Sequence, residues 1–487
     1  MSAEIGYLAA QSPKTIQRQL MPKKKIFILL PDGVGLRNFA FSNFYKIGLE
    51  KNFDITYWNN TPFDLSGLGF KEIKINNAKS NPLTDSYKNA RKHIELNLNI
   101  KKEKDHVYDT YRFPFSYKNI KIAVKSYIAR FLISLYNSEK GLSKVRAKIK
   151  NEEKKTDFYK QCLKTLESER PDFVFCTNQR PVLAIAPILA AKELKIPTGT
   201  FIFSWDNLPK ATMVVETDYY FVWSEHMKSE ILKYYSYINE NQVFVVGTPQ
   251  FEGHFDKNSI IDKVDFFNKH KLDLNKKYIC YSGDDVTTCP DDPQYLSDVA
   301  DAVRKINAEN GNSLGIIFRR CPVDFSNRYT KVLEKNKDLI VSIDPIWEKI
   351  GEEWNTILPT QEDVKLLSNT IAHTEMVVNL GSSMVFDYAC FKKPCAFLNY
   401  DVPNRMDKNW SVSKIYNYVH FRSMSDKKAV IWLNSSDEIA PKIEEGLNNT
   451  TEIINNAQKW FEIINQHPPE NSSDRIWKEI AKIVKSV

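Results

Sequence analysis

The chain has 487 residues, of which 42% are hydrophobic and 26% charged, with a formal net charge of +8; this fits two or three globular domains and excludes a disordered or fibrous polymer. No run of apolar residues is long enough for a transmembrane span. The seven cysteines and eight histidines show no Cys-x-x-Cys or His-Glu-x-x-His spacing, so buried thiols in a reducing, cytoplasmic compartment are expected, with no metal and no bound cofactor.

Residues 1–22 carry an early acid and no apolar core, and are expected to be a tail rather than a signal peptide. The apolar run between Lys25 and Asp32 is the first expected strand. The loop Pro31-Asp32-Gly33-Val34-Gly35-Leu36-Arg37 follows, then a helix over 38–49 and a strand over 54–59. This order opens a doubly wound α/β domain over 23–250. Its Gly33-x-Gly35 lacks the third glycine of the dinucleotide fingerprint and is a weak motif alone. Residues 77–165 interrupt the alternation with a polar, helical, basic insert. From Tyr117 to Lys155 it holds eleven Lys/Arg against three Glu. No aromatic-rich RNA-binding signature accompanies this charge, so nucleic acid is not expected as a partner. Ile120, Val124, Tyr127, Ile128, Phe131 and Leu135 recur at helical spacing, with Lys118, Lys121, Lys125 and Arg130 on or beside the other faces. Two readings fit: a helix packed on the core with a solvated basic face, or a basic amphipathic helix on an anionic membrane surface, the contact assigned to 117–155.

Strands resume at 172–178, 196–203, 218–223 and 242–249, with helices over 179–194 and 224–235. A charged linker is expected over 251–275. A second α/β domain over 276–465 begins with a strand that ends in Ser282-Gly283-Asp284-Asp285. Helices over 294–309 and 361–369 and strands over 314–319 and 339–342 follow. Beyond Lys408 the periodicity blurs. Residues 466–487 close the chain as a short linker and an amphipathic helix with Ile476, Trp477, Ile480 and Val484 on one side.

The segment 371–400 carries the most chemistry. An apolar run at 376–380 ends in Gly381-Ser382-Ser383, a helical stretch bearing Asp387 follows, and Lys392-Lys393-Pro394 leads into a second apolar run. Small residues let backbone N–H groups approach a diphosphate, and a helix start favours anions. Asp387, a turn further on, stands where a carboxylate can grip a ribose diol. An ordinary βαβ connection has the same outline.

Gly381-Ser-Ser-Met-Val-Phe-Asp387, Phe391-Lys-Lys-Pro394 and Tyr400-Asp401 resemble the C-terminal signature of the CDP-glycerol glycerophosphotransferase (teichoic acid polymerase) family. Arg319-Arg320-Cys321-Pro322 is similar to the Arg-x-His-Pro segment of such polysaccharide transferases, with Cys321 in the place of His. Trp205-Asp206-Asn207 falls where that family has Trp-His-Gly-Thr, and instead resembles the Ser-Trp-Asp-Asn stretch of some surface-carbohydrate glycosyltransferases. Two α/β halves, a linker and a terminal helix resemble the GT-B architecture. That resemblance implies a donor nucleotide in the second half, an acceptor facing it from the first, and a terminal helix that returns to the first domain.

On this basis Arg320 is the candidate for the donor diphosphate, because a guanidinium forks onto two phosphate oxygens. Gly381, Ser382 and Ser383 supply further donors, Asp387 takes the ribose, and Ser282, Gly283 and Asp284 line the donor side. Asp206 and Asp32 are the candidate bases for the acceptor hydroxyl, Asp206 being preferred. Gly33, Gly35, Arg37, Trp205 and Asn207 line the acceptor side. The expected function is a metal-independent glycosyltransferase, cytoplasmic or peripheral at the inner membrane face. It would move a sugar from a nucleotide-sugar donor to a surface polysaccharide, glycan or lipid-linked acceptor. The alternatives are a CDP-glycerol-type glycerophosphotransferase, a nucleotide-sugar 2-epimerase of the same two-domain build, and a non-catalytic glycan-binding protein.

Overall fold

The computed structural model describes residues 23–351 and 356–486; the tail expected over 1–22 lies outside the described residues. Seven parallel strands make the first sheet: β1 Lys25–Leu30, β2 Asp54–Asn59, β3 Glu72–Lys74, β4 Phe173–Cys176, β5 Thr198–Phe201, β6 Tyr219–Val222 and β7 Val243–Val245, in the order β3-β2-β1-β4-β5-β6-β7. A second parallel sheet holds β8 Lys277–Ser282, β9 Leu314–Arg319 and β10 Ile340–Ser342. The hairpin of β11 Trp347–Lys349 and β12 Ile357–Pro359 stands apart from it, and β13 Val377–Asn379, β14 Cys395–Leu398 and β15 Ile431–Leu433 complete it in the order β10-β9-β8-β13-β14-β15. The central strands are apolar on both faces, as sheets covered by helices on both sides require: Ile26 to Leu30 are fully buried, as are Val377 and Val378.

Both sheets reverse direction at their first strand, between β1 and β4 and between β8 and β13. In open α/β sheets ligands bind outside the carboxyl ends of the strands at such a reversal. These are two Rossmann-like domains, the α/β architecture of the GT-B class. Four strands were not legible in the sequence. β3 is a polar edge strand with all three residues half-buried, and the β11–β12 hairpin and β15 are three-residue strands. None offers a periodicity long enough to read.

The insert forms four helices, Thr84–Glu103, Ile120–Tyr136, Glu139–Glu153 and Asp157–Glu169. Asn119, Ser138 and Thr156 cap the last three through their side-chain oxygens. Helix Ile120–Tyr136 buries Ser126, Ala129 and Leu132. Its packing face is therefore small, and most of the spaced apolar residues read from the sequence lie outside it.

The stretch 251–275 is partly packed rather than a free tether. Phe251, Glu252 and His254 are buried within the turns Pro249–Phe255, and helix Lys263–His270 follows. The last helix, Ser472–Ser486, lies on the first domain. Trp477, fully buried, stacks on Phe44 (4.7 Å between centroids) and Phe53 (4.9 Å) and donates its indole N–H to the Phe44 carbonyl at 2.7 Å. Glu252 and Ser473 tie the helix to the domain connection, Ser473 N–H donating to Glu252 Oε1 at 2.6 Å. Among the described residues, no helix is long and apolar enough to cross a membrane.

Candidate functional site

The carboxyl ends of the two sheets meet. Trp205, in the loop after β5, donates its indole N–H to Ser383 Oγ, in the loop after β13, at 2.9 Å. Arg37, in the helix Val34–Phe39 after β1, lies 3.8 Å from Asp387 in the helix Met384–Cys390 after β13. The backbone N–H of Val419, in the second domain, donates to Tyr111 Oη of the insert at 2.9 Å.

On the first domain's side, Asp32 follows β1 directly and is 6% exposed. Its Oδ1 accepts the Val34 N–H (3.2 Å) and its Oδ2 accepts the Asn178 amide (2.9 Å). Burial raises the carboxyl from 3.8 to about 6, against the opposing pull of Arg180 and these hydrogen bonds. Asn178 and Arg180 stand at the end of β4, across the sheet reversal. Gly35 is required here because a Cβ would run into Thr177 of that same strand end; Gly33 is buried, and its carbonyl accepts the Leu36 N–H at 3.2 Å.

Asp206 sits in a different field. Burial alone would raise its carboxyl, but Lys210 and His420 hold it well below the usual carboxylate range, and Lys210 donates to it directly. Asn207 donates to Asp206 Oδ1 (2.8 Å) and accepts from Gln179 (3.0 Å), so the loops after β4 and β5 interlock. Trp205 is 4% exposed and packs edge-on against Phe386, His420 and Trp460 of the second domain. It serves as a bridge between the domains. Lys210, Lys88 and Arg112 gather around Lys92, and burial together with their charge lowers its pKa to about 8.

On the second domain's side, Gly381 has φ +62°, and a Cβ would also press on Ile415, Phe421 and Tyr416, so the turn admits only glycine. Ser382 N–H donates to Asn379 Oδ1 at 2.8 Å. Next to this turn, at the ends of β14 and β15, lies a cavity of about 590 Å³ lined by Asn399, Tyr416, Phe421, Trp432 and Asn434 among others. Asp387 is 3% exposed; its Oδ1 contacts His254 Nε2 at 2.8 Å, and His254 Nδ1 contacts Ser368 Oγ at 2.9 Å. Its visible partners are thus a histidine of the domain connection and an arginine of the first domain.

Ser282 ends β8 and Gly283 packs under Tyr329 and Asp292, with no room for a Cβ. Asp284 donates its N–H to Asp292 (2.8 Å), and its own Oδ2 is buried without a hydrogen-bond partner. Burial and the neighbouring Asp292 and Asp285 push its carboxyl well above the usual range. Asp285 caps the turn that follows, accepting Thr287 N–H at 2.8 Å.

Arg320, the candidate for the donor diphosphate, and its neighbour Arg319 are both paired with carboxylates of the second domain. Arg319 is buried in a double hydrogen bond to Asp363 (2.8 and 2.9 Å). Arg320 pairs with Asp344 at 3.0 Å, on the β10 side of β9. Strand β8 lies between β9 and β13, which sets the Gly-Ser-Ser turn two strand spacings away, about 10 Å. Arg37 is the guanidinium paired with the helix after that turn, and its Nη2 is buried without a hydrogen bond. Sequence reasoning missed Asn178, Arg180, Lys92, His254 and His420. For the first two, a signal was available in the polar run Thr177-Asn178-Gln179-Arg180 directly after an apolar strand. The other three depend on elements brought together only by folding.

No protein-family model matches this chain, and no curated protein matches it. Solved structures do. The MnaA–UDP co-structure from S. aureus aligns at TM-score 0.52 and 13% identity over 95% of this chain and 98% of that one. A protein from Listeria monocytogenes assigned as a UDP-N-acetylglucosamine 2-epimerase aligns at TM-score 0.53 and 11% identity, over 96% and 98%. Another UDP-N-acetylglucosamine 2-epimerase structure gives TM-score 0.53 and 12% identity, over 96% and 97%. At these identities the likeness establishes the two-domain fold over nearly the whole chain. The narrower resemblance to CDP-glycerol glycerophosphotransferases gains no support from it.

Proposed function

We propose that this chain is an enzyme acting on a nucleotide-activated sugar, and that it transfers the sugar to an acceptor hydroxyl presented by the first domain. The observation that carries this reading is Arg37: a guanidinium nitrogen buried between two domains, lacking a hydrogen bond, beside the helix that follows a Gly-Ser-Ser turn. That nitrogen already lies 3.8 Å from Asp387 Oδ1, an ion pair too long for a hydrogen bond, so a donor is left there for a hydrogen-bonding anion to complete. A diphosphate held by Arg37, the Ser382 and Ser383 hydroxyls and the backbone of the turn would do so. The neighbouring cavity, with aromatic walls and the Asn399 and Asn434 amides, suits a nucleoside.

In this reading Asp32 is the base. It accepts the proton of the acceptor hydroxyl as that oxygen attacks the anomeric carbon. The bond from that carbon to the phosphate oxygen breaks, and its electron pair leaves with the diphosphate. A carboxyl near pKa 6 is suited to this step, whereas Asp206, held strongly acidic, is a poor proton acceptor. The sequence preference for Asp206 is therefore reversed in this proposal, and Arg37 takes the role first given to Arg320.

A second reading, 2-epimerisation of a UDP-sugar, is favoured by the full-length likeness to structures named for that activity. One experiment separates the two. UDP-N-acetylglucosamine and other UDP-sugars are incubated in heavy water with and without a glycan or lipid-linked acceptor. Acceptor-dependent release of UDP supports transfer. A C2 epimer carrying deuterium, formed without acceptor, supports epimerisation. Absence of binding by any nucleoside diphosphate in calorimetry rejects both.

A further inference from the structure

The outward face of helix Ile120–Tyr136 is apolar. Ile120, Val124, Tyr127, Phe131 and Leu135 are 84, 50, 61, 67 and 59% exposed. Their spacing places them in one stripe along the helix. Phe113, 79% exposed, extends the patch on the preceding segment. A helix on a soluble surface ordinarily turns its polar face outward, and contiguous exposed apolar surface marks an interaction site.

The charge along this segment is basic, with one carboxylate of a neighbouring helix, Asp85, paired to Lys125 at 2.6 Å. Residues 110–138 contain five Lys/Arg and no Asp or Glu. Among the described residues Lys118 and Lys121 form no ion pair, and Arg130 donates to Tyr117 Oη at 3.1 Å rather than to a carboxylate. We propose that this face docks on an anionic lipid bilayer. The stripe would enter the acyl boundary, and Lys118, Lys121 and Arg130 would reach the headgroups. A second copy of the chain is the weaker occupant, because a two-fold interface would set each basic rim against its own image. An anionic bilayer supplies the opposite charge.

The patch is continuous with the cleft. Tyr111, just before it, accepts the Val419 N–H and stacks on Tyr418 of the second domain at 5.4 Å. Lys92, in the cationic group beside Asp206, lies 4.6 Å over the Phe113 ring. A lipid-borne acceptor with a phosphate would pass from the docked face to those cations. This second step deepens the transfer reading and rests on it, whereas the docking does not.

The test is sedimentation of the full chain with vesicles of phosphatidylglycerol and phosphatidylcholine, and with phosphatidylcholine alone. We expect binding to the anionic vesicles, weakened by salt. Phe131→Glu and Ile120→Glu each lower it about tenfold or more. The Lys118→Glu/Lys121→Glu double variant lowers it about tenfold or more, the charge reversal acting on both headgroup contacts. Phe131→Ser is the milder variant should a glutamate disturb folding. UDP affinity is measured for each variant; lost vesicle binding with unchanged UDP binding supports docking independently of the enzymatic reading. No binding by the unmodified chain, or equal binding by Phe131→Glu, overturns the proposal. So does a solution dimer that Phe131→Glu dissociates.

Discussion

Asp32→Asn tests the proposed base by a route that needs no substrate. In the folded chain the carboxyl titrates at about 6, against an ordinary 3.8. The folded state therefore holds this proton more tightly than the unfolded chain does. The stability it provides is complete below pH 3.8 and is lost as pH rises through about 6. The full loss is about 3 kcal/mol, and about 2 kcal/mol of it falls between about pH 4.5 and about pH 7.5. Asparagine removes that dependence. It also sets a second amide against Asn178, which now donates to Asp32 Oδ2, and an orphaned donor costs about 1–3 kcal/mol. At neutral pH the two effects nearly cancel, so the variant should be folded with stability close to that of the unmodified chain. Urea midpoints of both proteins at the two pH values measure the difference. The unmodified chain should lose about 2 kcal/mol more than Asp32→Asn on going to the higher pH. Turnover of the variant should fall about a hundredfold or more at neutral pH. Parallel pH profiles of stability would refute the raised carboxyl, and retained turnover would refute its role.

Arg37→Met should weaken UDP binding about tenfold or more by calorimetry, the value of a charge-assisted hydrogen bond to phosphate; an unchanged Kd removes Arg37 from the diphosphate site. Arg320→Ala should leave UDP affinity within about twofold, since its partner is the half-exposed Asp344, and a large loss would restore the assignment made from sequence. Trp477→Ala should cost about 3–5 kcal/mol in urea denaturation, because removing a fully buried indole leaves a cavity and takes away its hydrogen bond to the Phe44 carbonyl. A loss below about 1 kcal/mol would mean that the terminal helix is not held as described.

The amino-acid sequence by itself determined the two α/β halves. Apolar runs such as 26–30 and 278–281, each followed by small or turn-forming residues, specify buried parallel strands through local pattern alone. It also located the Gly-Ser-Ser turn, because a left-handed backbone at Gly381 needs glycine whatever the tertiary context. The outcome of every charged residue was decided by folding. Arg319 and Arg320 are adjacent in the chain, yet one is buried on Asp363 and the other paired with Asp344, while Arg37, some 280 positions earlier, reaches the helix after the Gly-Ser-Ser turn. Asp32 and Asp206 are identical as side chains; burial outweighs the pull of Arg180 and raises one, and Lys210 with His420 lowers the other. Helical spacing gave the apolar positions of 120–135 but not their direction, since a period records which residues share a face and only packing decides whether that face meets a core.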